Sequence, residues 1–334
     1  MTECERIVKK GVLSLSFFEE EKRCEFLVTK KRKEIWAVQL DLLQEFQRVC
    51  NAYGLKYMAC GGTILGAARH EGFIPWDDDI DVMMPRKEYN RFCQIAPREF
   101  KHPYFFQTEE TDPGYLIRHV KIRNSNTAEF SMGFSKYGDG CRFNQGIFID
   151  VFPLDNVPDN MDERNSFFSQ LWESWGKLWK QSVYANRGLR FSNDENRLQE
   201  ERILRDKIEG KYLLYEEYEK LSAKYMDIPT QETYIIVCCR NPENSNDRYA
   251  WLNNDLQETI LMPFEMLQVP VPKNYDNVLR KTYGNWNEFV MGGSLHSTFE
   301  DTLYDTEHSY KEYLIGGALH DLLVDFWNRK ADKL

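Results

Sequence analysis

The stretch CGGTILGAARHEGFIPWDDDIDVMMPR, residues 60–86, restricts the fold more than any other. It sets four aspartates (Asp77, Asp78, Asp79, Asp81) against an apolar run. Ile80, Val82, Met83 and Met84 predict a strand over 80–84 that Pro85 stops. Side chains on a strand alternate between faces, so Asp79 and Asp81 point one way while Ile80 and Val82 point into the core. Carboxylates converging on one point repel each other unless a cation lies between them, which predicts a metal site at Asp79 and Asp81. Oxygen-only ligands select Mg²⁺ or Mn²⁺ over zinc. The bland alternative is a solvated acidic loop or a helix cap. Asp77 and Asp78 suit a turn or a supporting role better than ligation.

Upstream, a short strand over Leu55 to Cys60 runs into Gly61 and Gly62, followed by Thr63 and a helix. Glycines permit close approach, and exposed amides there could cradle a phosphate. The segment lacks the Gly-Lys-Ser/Thr ending of a Walker loop and does not fit G-x-G-x-x-G. A third ligand is expected from another strand, and Asp150 within GIFIDVFPLD is the candidate, since a charge among Ile147, Ile149, Val151 and Phe152 needs a partner. A salt bridge to a buried arginine is the structural alternative. Asp155 follows Pro153, which is expected to end the strand and leave Asp155 in a turn. Arg69, His70, Lys121 and Arg123 are the basic residues that could neutralise a diphosphate, each with a surface or structural ion pair as its alternative. Neither H-E-x-x-H nor G-x-S-x-G occurs, and Cys60 reads as a buried thiol, not a nucleophile.

The remaining pattern predicts an α+β chain. Apolar residues at Ile35, Val38, Leu42, Phe46, Val49 and Tyr53 mark a helix that Gly54 ends. A helix from Arg86 to Ile95 should stop at Pro97, and strands are expected at Tyr104 to Gln107, His119 to Arg123, Gly146 to Phe152 and Tyr234 to Cys238. Two aromatic helical stripes, Phe167 to Trp179 and Leu204 to Leu221, either pack on the sheet or line a substrate cleft. The expected division is an N-terminal extension (1–34), a catalytic core (35–158) and a helical, aromatic-rich region (159–334). A net charge of −10 argues against nucleic-acid binding. MTECERIVKK lacks a signal-peptide core and no apolar run reaches the roughly 18 residues of a membrane span, so a cytoplasmic setting is expected. Eight cysteines without C-x-x-C spacing read as reduced thiols.

Order and distance add a resemblance. GGTILGAARHEGFIPWDDDIDVMMPRKEY (61–89) resembles the signature of the LicD family, phosphocholine transferases related to fukutin-type proteins. KIRNSNT (121–127), GIFIDVFPLD (146–155) and MPFEMLQVPVPKNYDNVLRKTYGNW (262–286) extend the likeness; 160–230 is least similar and is where acceptor specificity is expected. The resemblance implies a nucleotidyltransferase-like mixed sheet flanked by helices. It implies transfer of phosphocholine or a related phospho-alcohol from CDP-choline or another CDP-alcohol to a glycan hydroxyl, with Asp79, Asp81 and Asp150 as Mg²⁺ ligands. Such an enzyme would work in the cytoplasm or at the inner face of a membrane. A choline head group further implies an aromatic cage, with Trp76 or tyrosines as candidates and packing as the alternative for Trp76. Two rivals remain: a nucleotidyltransferase moving NMP from an NTP, which the same carboxylates would serve, and a silent binding protein, against which the intact Asp79 and Asp81 count.

Overall fold

The computed structural model describes residues 1–112, 117–131, 143–186, 213–238, 248–290, 301–314 and 316–331. Helices α1 (Glu3–Lys10), α2 (Lys30–Tyr53), α3 (Gly61–His70), α4 (Arg86–Glu99), α5 (Met161–Asn186), α6 (Tyr275–Tyr283) and α7 (His320–Ala331) accompany thirteen strands among those residues. The strands are β1 (Glu21–Arg23), β2 (Phe26–Val28), β3 (Met58–Ala59), β4 (Asp81–Pro85), β5 (Tyr104–Gln107), β6 (Val120–Asn124), β7 (Ala128–Ser131), β8 (Phe148–Asn156), β9 (Glu232–Tyr234), β10 (Ala250–Leu252), β11 (Thr259–Phe264), β12 (Leu267–Pro272) and β13 (Thr302–Asp305). The main sheet runs β10-β9-β8-β4-β3, and β6 adds β5 along the other stretch of β8. β4 and β8 are parallel and the other pairs antiparallel, so the sheet is mixed.

Helix α2 forms for the reason its spacing gives: Ile35, Val38, Leu42, Phe46 and Val49 are all fully buried. Thr29 caps its start and Gly54, left-handed at φ 60°, closes its end. Its packing against β6 and β8 places one helical face over the acidic loop that precedes β4. Residues 1–34 are woven into the same core. Arg6 and Lys10 of α1 pair with the buried Asp41 of α2, and Glu3 accepts from Asn124 and Asn126 of the β6 end.

Four boundaries differ from the sequence expectation. Strand β8 continues through Pro153 to Asn156. Asp150 N–H bonds the Ile80 carbonyl just before β4, so by alternation the Pro153 nitrogen faces the opposite edge. On that edge β6 has ended at Val151 and β9 begins only at Asp155, so no donor is needed there. Asp155 is therefore a buried strand residue, not a turn residue. β9 in turn covers only Glu232–Tyr234, and Ile236–Cys238 makes a 3₁₀ turn, because further pairing along β8 would run into β6. Pro97 lies inside α4, where its ring forfeits its own N–H bond while Phe100 N–H still reaches Ala96. The proline-punctuated MPFEMLQVPVPKNY folds largely as the hairpin β11–β12, so the region expected to be helical also supplies five strands. Of the aromatic stripes, Phe167, Leu171 and Leu178 are buried with Tyr218, Tyr225 and Tyr234 in a second core, which is packing and not a cleft. Leu204, Ile208 and Tyr212 lie outside the described residues.

Candidate active site

The site forms where β4, β8 and the start of α3 meet. Asp81 opens β4 and stands in parallel register opposite Asp150 of β8, which sets the two side chains on one face of the sheet. Ile80 and Val82 are fully buried on the other face. The Asp81 amide donates to Thr63 Oγ1 at 2.8 Å and its carbonyl accepts from Cys60 N at 2.9 Å, so strand and helix start are locked together. Thr63 thus positions Asp81 through its hydroxyl oxygen. Asp79 lies two residues before the strand, outside the alternation that the sequence pattern assigned to it, and is the leading charged neighbour of both Asp77 and Asp81.

No side chain caps the start of α3, and Gly61 adopts φ +51° there. A Cβ at Gly61 would stand 3.4 Å from Asp81 Oδ2, and one at Gly62 only 2.6 Å from Asp77 Oδ2. Glycine is therefore required for the carboxylates to crowd the helix start. The N-terminus of this ten-residue helix, without a side-chain cap and open to solvent only in part at Gly62, favours an anion. Burial and then the charge of Asp79 raise the Asp81 carboxyl well above its ordinary value, with Asp150 and Asp77 adding to the effect. Asp77 is raised by the same causes, burial first and then Asp79 and Asp78. Asp81 nevertheless keeps a partial opening to solvent. Among the described residues no donor bonds its carboxylate.

Asp150 differs. His119 Nε2 at 2.9 Å and Lys121 Nζ at 2.7 Å both engage its Oδ1, which leaves Oδ2 without a hydrogen bond among the described residues. Burial pushes this carboxyl up, but Lys121 and His119 outweigh it and hold it below the ordinary range. The sequence alternative was a partner arginine; the partners are a lysine and a histidine. Lys121 is buried over the Phe148 ring and paired with Asp150. Arg123 is bound to Gln107 and to the Gly146 carbonyl at 2.6 Å.

Arg69 and His70 sit at the far end of α3, about 12 Å along the axis from Gly61. Arg69 donates to the carbonyls of Trp286 and Glu288 and lies over the Phe289 ring. His70 and Phe26 flank Trp76 edge-on. Trp76 directly precedes Asp77, and among the described residues no hydrogen bond or ion pair joins any of the three to Asp79, Asp81 or Asp150.

Several side chains escaped the sequence reading. Arg32 and Trp36 of α2 donate to the Asp77 carbonyl at 2.9 and 3.0 Å, and Gln39 donates to the Asp78 carbonyl at 2.6 Å. Their spacing of four and three puts them on one helix face, and a polar stripe within a buried helix was the available signal. Tyr304 of β13 donates to Asp78 Oδ2 at 3.0 Å. Glu129 of β7 lies within electrostatic reach of Asp78, Asp150, Lys121 and Arg123. No motif marked either.

A carboxylate centre beside an open helix start, on a mixed sheet, is the class this geometry defines. Residues 54–175 match the family described as LicD/FKTN/FKRP, nucleotidyltransferase domain. Over those residues the chain is similar to a LicD-family domain. It is 37% identical over 128 residues to lipopolysaccharide cholinephosphotransferase LicD of Haemophilus influenzae, covering 38% of this chain and 45% of that protein. It is also 53% identical over 34 residues to ribitol 5-phosphate transferase FKRP of Homo sapiens, 10% of this chain and 7% of the relative. The chain thus spans less than half the length of the curated relatives it matches. No described helix is long and apolar enough to cross a membrane.

Proposed function

We propose that this chain transfers phosphocholine, or a related phospho-alcohol such as ribitol phosphate, from a CDP-activated donor to a hydroxyl of a cell-surface glycan or its precursor. The observation that carries the reading is the register of Asp81 against Asp150 beside the uncapped start of α3. The activities for which the Haemophilus and human relatives are named supply the two phospho-alcohols.

The residues fit Mg²⁺, with Mn²⁺ as a substitute. Asp81 and Asp79 repel each other in a buried setting, and among the described residues no donor bonds the Asp81 carboxylate and none reaches Oδ2 of Asp150. Among the described residues no three His, Cys, Asp or Glu side chains form a ready-made metal cage. That suits Mg²⁺, which commonly takes one or two carboxylates and completes its shell with substrate phosphates and water. Asp81 and Asp150, opposed in register, are the two that would hold it, with Asp79 beside them as the further carboxylate. When bound, such an ion neutralises phosphate charge and polarises the reacting phosphorus.

The chain's own residues do the rest by position and charge. The amides at Gly61 and Gly62 receive a phosphate oxygen at the positive end of α3. Thr63 fixes Asp81, while His119 and Lys121 fix Asp150, so neither carboxylate reorganises during reaction. The acceptor oxygen forms a bond to the head-group phosphorus as the bond to the bridging oxygen breaks. CMP leaves with that electron pair, and the hydroxyl proton passes to a base. A nucleotide-activated donor suits a cytoplasmic or inner-membrane-face setting.

The test is a screen of CDP-choline, CDP-ribitol, CDP-glycerol and NTPs with Mg²⁺, following release of CMP or pyrophosphate, with Asp81→Asn and EDTA as controls. Mg²⁺-dependent CMP release that Asp81→Asn abolishes is expected. Pyrophosphate from an NTP overturns it in favour of NMP transfer. Absence of any turnover would leave a binding protein.

A further inference from the structure

We infer that Glu129 is a catalytic residue of this site and that its carboxylate takes the proton of the attacking acceptor hydroxyl. The inference rests on the transfer reaction proposed above and assigns it a base.

The geometry comes from the ribbon β7–β13. Glu129 and Tyr304 are directly opposed across it, so their side chains share a face. Tyr304 reaches Asp78 Oδ2 from that face, which turns the ribbon toward the acidic loop. On the main sheet, Lys121 and Arg123 of β6 and Asp150 of β8 complete the surroundings of Glu129. Lys121 is spent on Asp150, and Arg123 on Gln107 and Gly146. Among the described residues no hydrogen bond reaches the Glu129 carboxylate, although it is packed deep in protein and keeps only a partial opening to solvent. A buried acid without a donor is unusual, and a substrate hydroxyl would supply the missing bond.

The other acids are less suited. Asp150 is held by two donors, Asp77 is pressed against Gly62, and Asp79 and Asp81 face each other's charge. Burial lifts the Glu129 carboxyl to about 8; Arg123 and Lys121 pull it down while Asp78 and Asp150 push it up. The group therefore changes protonation near neutrality, where a base is most effective. In the step, the acceptor O–H proton moves to Glu129 and the oxygen's electron pair forms the new P–O bond. The bond from phosphorus to the bridging oxygen breaks and CMP carries its pair away. The proton is later released to water.

The experiment compares wild type, Glu129→Gln and Glu129→Asp in Mg²⁺-dependent CMP release from CDP-choline, with water and glucose supplying the hydroxyl, across neutral pH. Glu129→Gln should lower kcat by about 10²- to 10⁴-fold. Its KM for CDP-choline should stay within about twofold. The acid limb of the wild-type kcat–pH profile should vanish, and CMP should still raise the melting temperature of the variant. Glu129→Asp should recover part of the rate. Near-wild-type kcat in Glu129→Gln, or an unchanged acid limb, overturns the assignment. So does loss of the CMP-induced melting shift, which would mark a structural role. If wild type releases no CMP from CDP-choline, CDP-ribitol or CDP-glycerol, the transfer reading falls and takes Glu129 with it. If wild type and Glu129→Gln are equally active, only Glu129 falls.

Discussion

Thr63→Val separates the scaffold of the site from its chemistry. Valine keeps the shape of threonine and removes the acceptor that the Asp81 amide uses at 2.8 Å. Thr63 is 3% exposed, so water cannot readily take the hydroxyl's place. A buried amide left without a partner costs about 1–3 kcal/mol. For a chain of this size that corresponds to a fall in melting temperature of about 2–6 °C. The amide belongs to Asp81 itself, so the carboxylate loses its anchor, and a displacement of a fraction of an ångström should slow transfer by about 10- to 100-fold. Thr63→Ser keeps the hydroxyl and loses one methyl, worth about 0.8 kcal/mol, and should retain most of the rate. Thermal melts and CMP-release rates on all three proteins decide the matter. If Thr63→Val and Thr63→Ser melt and turn over alike, the hydroxyl–amide bond does not hold Asp81 and the reasoning fails.

Arg86→Met strands Asp155 and Glu219, which the Arg86 side chain, 3% exposed, now pairs. Losing one partner of such a buried pair should cost about 3–5 kcal/mol in urea unfolding, whereas an unchanged midpoint would show the network to be neutral. Asp81→Asn removes a carboxyl that burial and Asp79 hold well above its ordinary range, so in EDTA the variant should melt no lower than wild type. It should also lose any Mg²⁺-dependent melting shift; a preserved shift would move the ion elsewhere. Burial, then Arg69 and Arg23, lower the His70 pKa from 6.5 to about 4. The folded state therefore binds fewer protons there than the unfolded chain. Its contribution is complete above pH 6.5 and declines as pH falls toward 4. His70→Gln should flatten the melting-temperature profile in that window alone, and a profile identical to wild type would refute the burial of its neutral form.

The legible parts of the sequence were those where one period dominated. The α2 stripe and the strand at Tyr104–Gln107 follow directly from local pattern, because burial on one face decides them. What escaped was decided by partners distant in the chain. Nothing near Pro153 tells that β6 stops at Val151 and leaves the proline's edge without need of a donor. Nothing near Lys121 tells that it faces Asp150 across a strand pair rather than a ligand. Within the site, spacing alone placed Asp81 at a strand and Gly61 and Gly62 ahead of it at the start of a helix. The polar face of α2 that grips their loop was readable only in hindsight, since Arg32, Trp36 and Gln39 look like ordinary surface-to-core transitions on a helix.

The two halves of the carboxylate centre are unequal, and that inequality has a consequence. Asp150 has its charge met by Lys121 and His119 from β6 and its approach, so its ionised form is stable without help. Asp77 and Asp81 are less well compensated: the Asp78 amide and Arg32 favour the Asp77 charge and Lys121 favours that of Asp81, yet burial and the neighbouring aspartates outweigh them, while side-chain bonds from Arg32, Trp36 and Gln39 to loop carbonyls fix the geometry. An uncompensated buried charge is destabilising, and whatever neutralises it stabilises the fold in proportion to its affinity. The β4–α3 side is therefore where binding of a cation and a phosphate would be felt as added stability. The β8 side would serve as a fixed wall against which the donor is aligned.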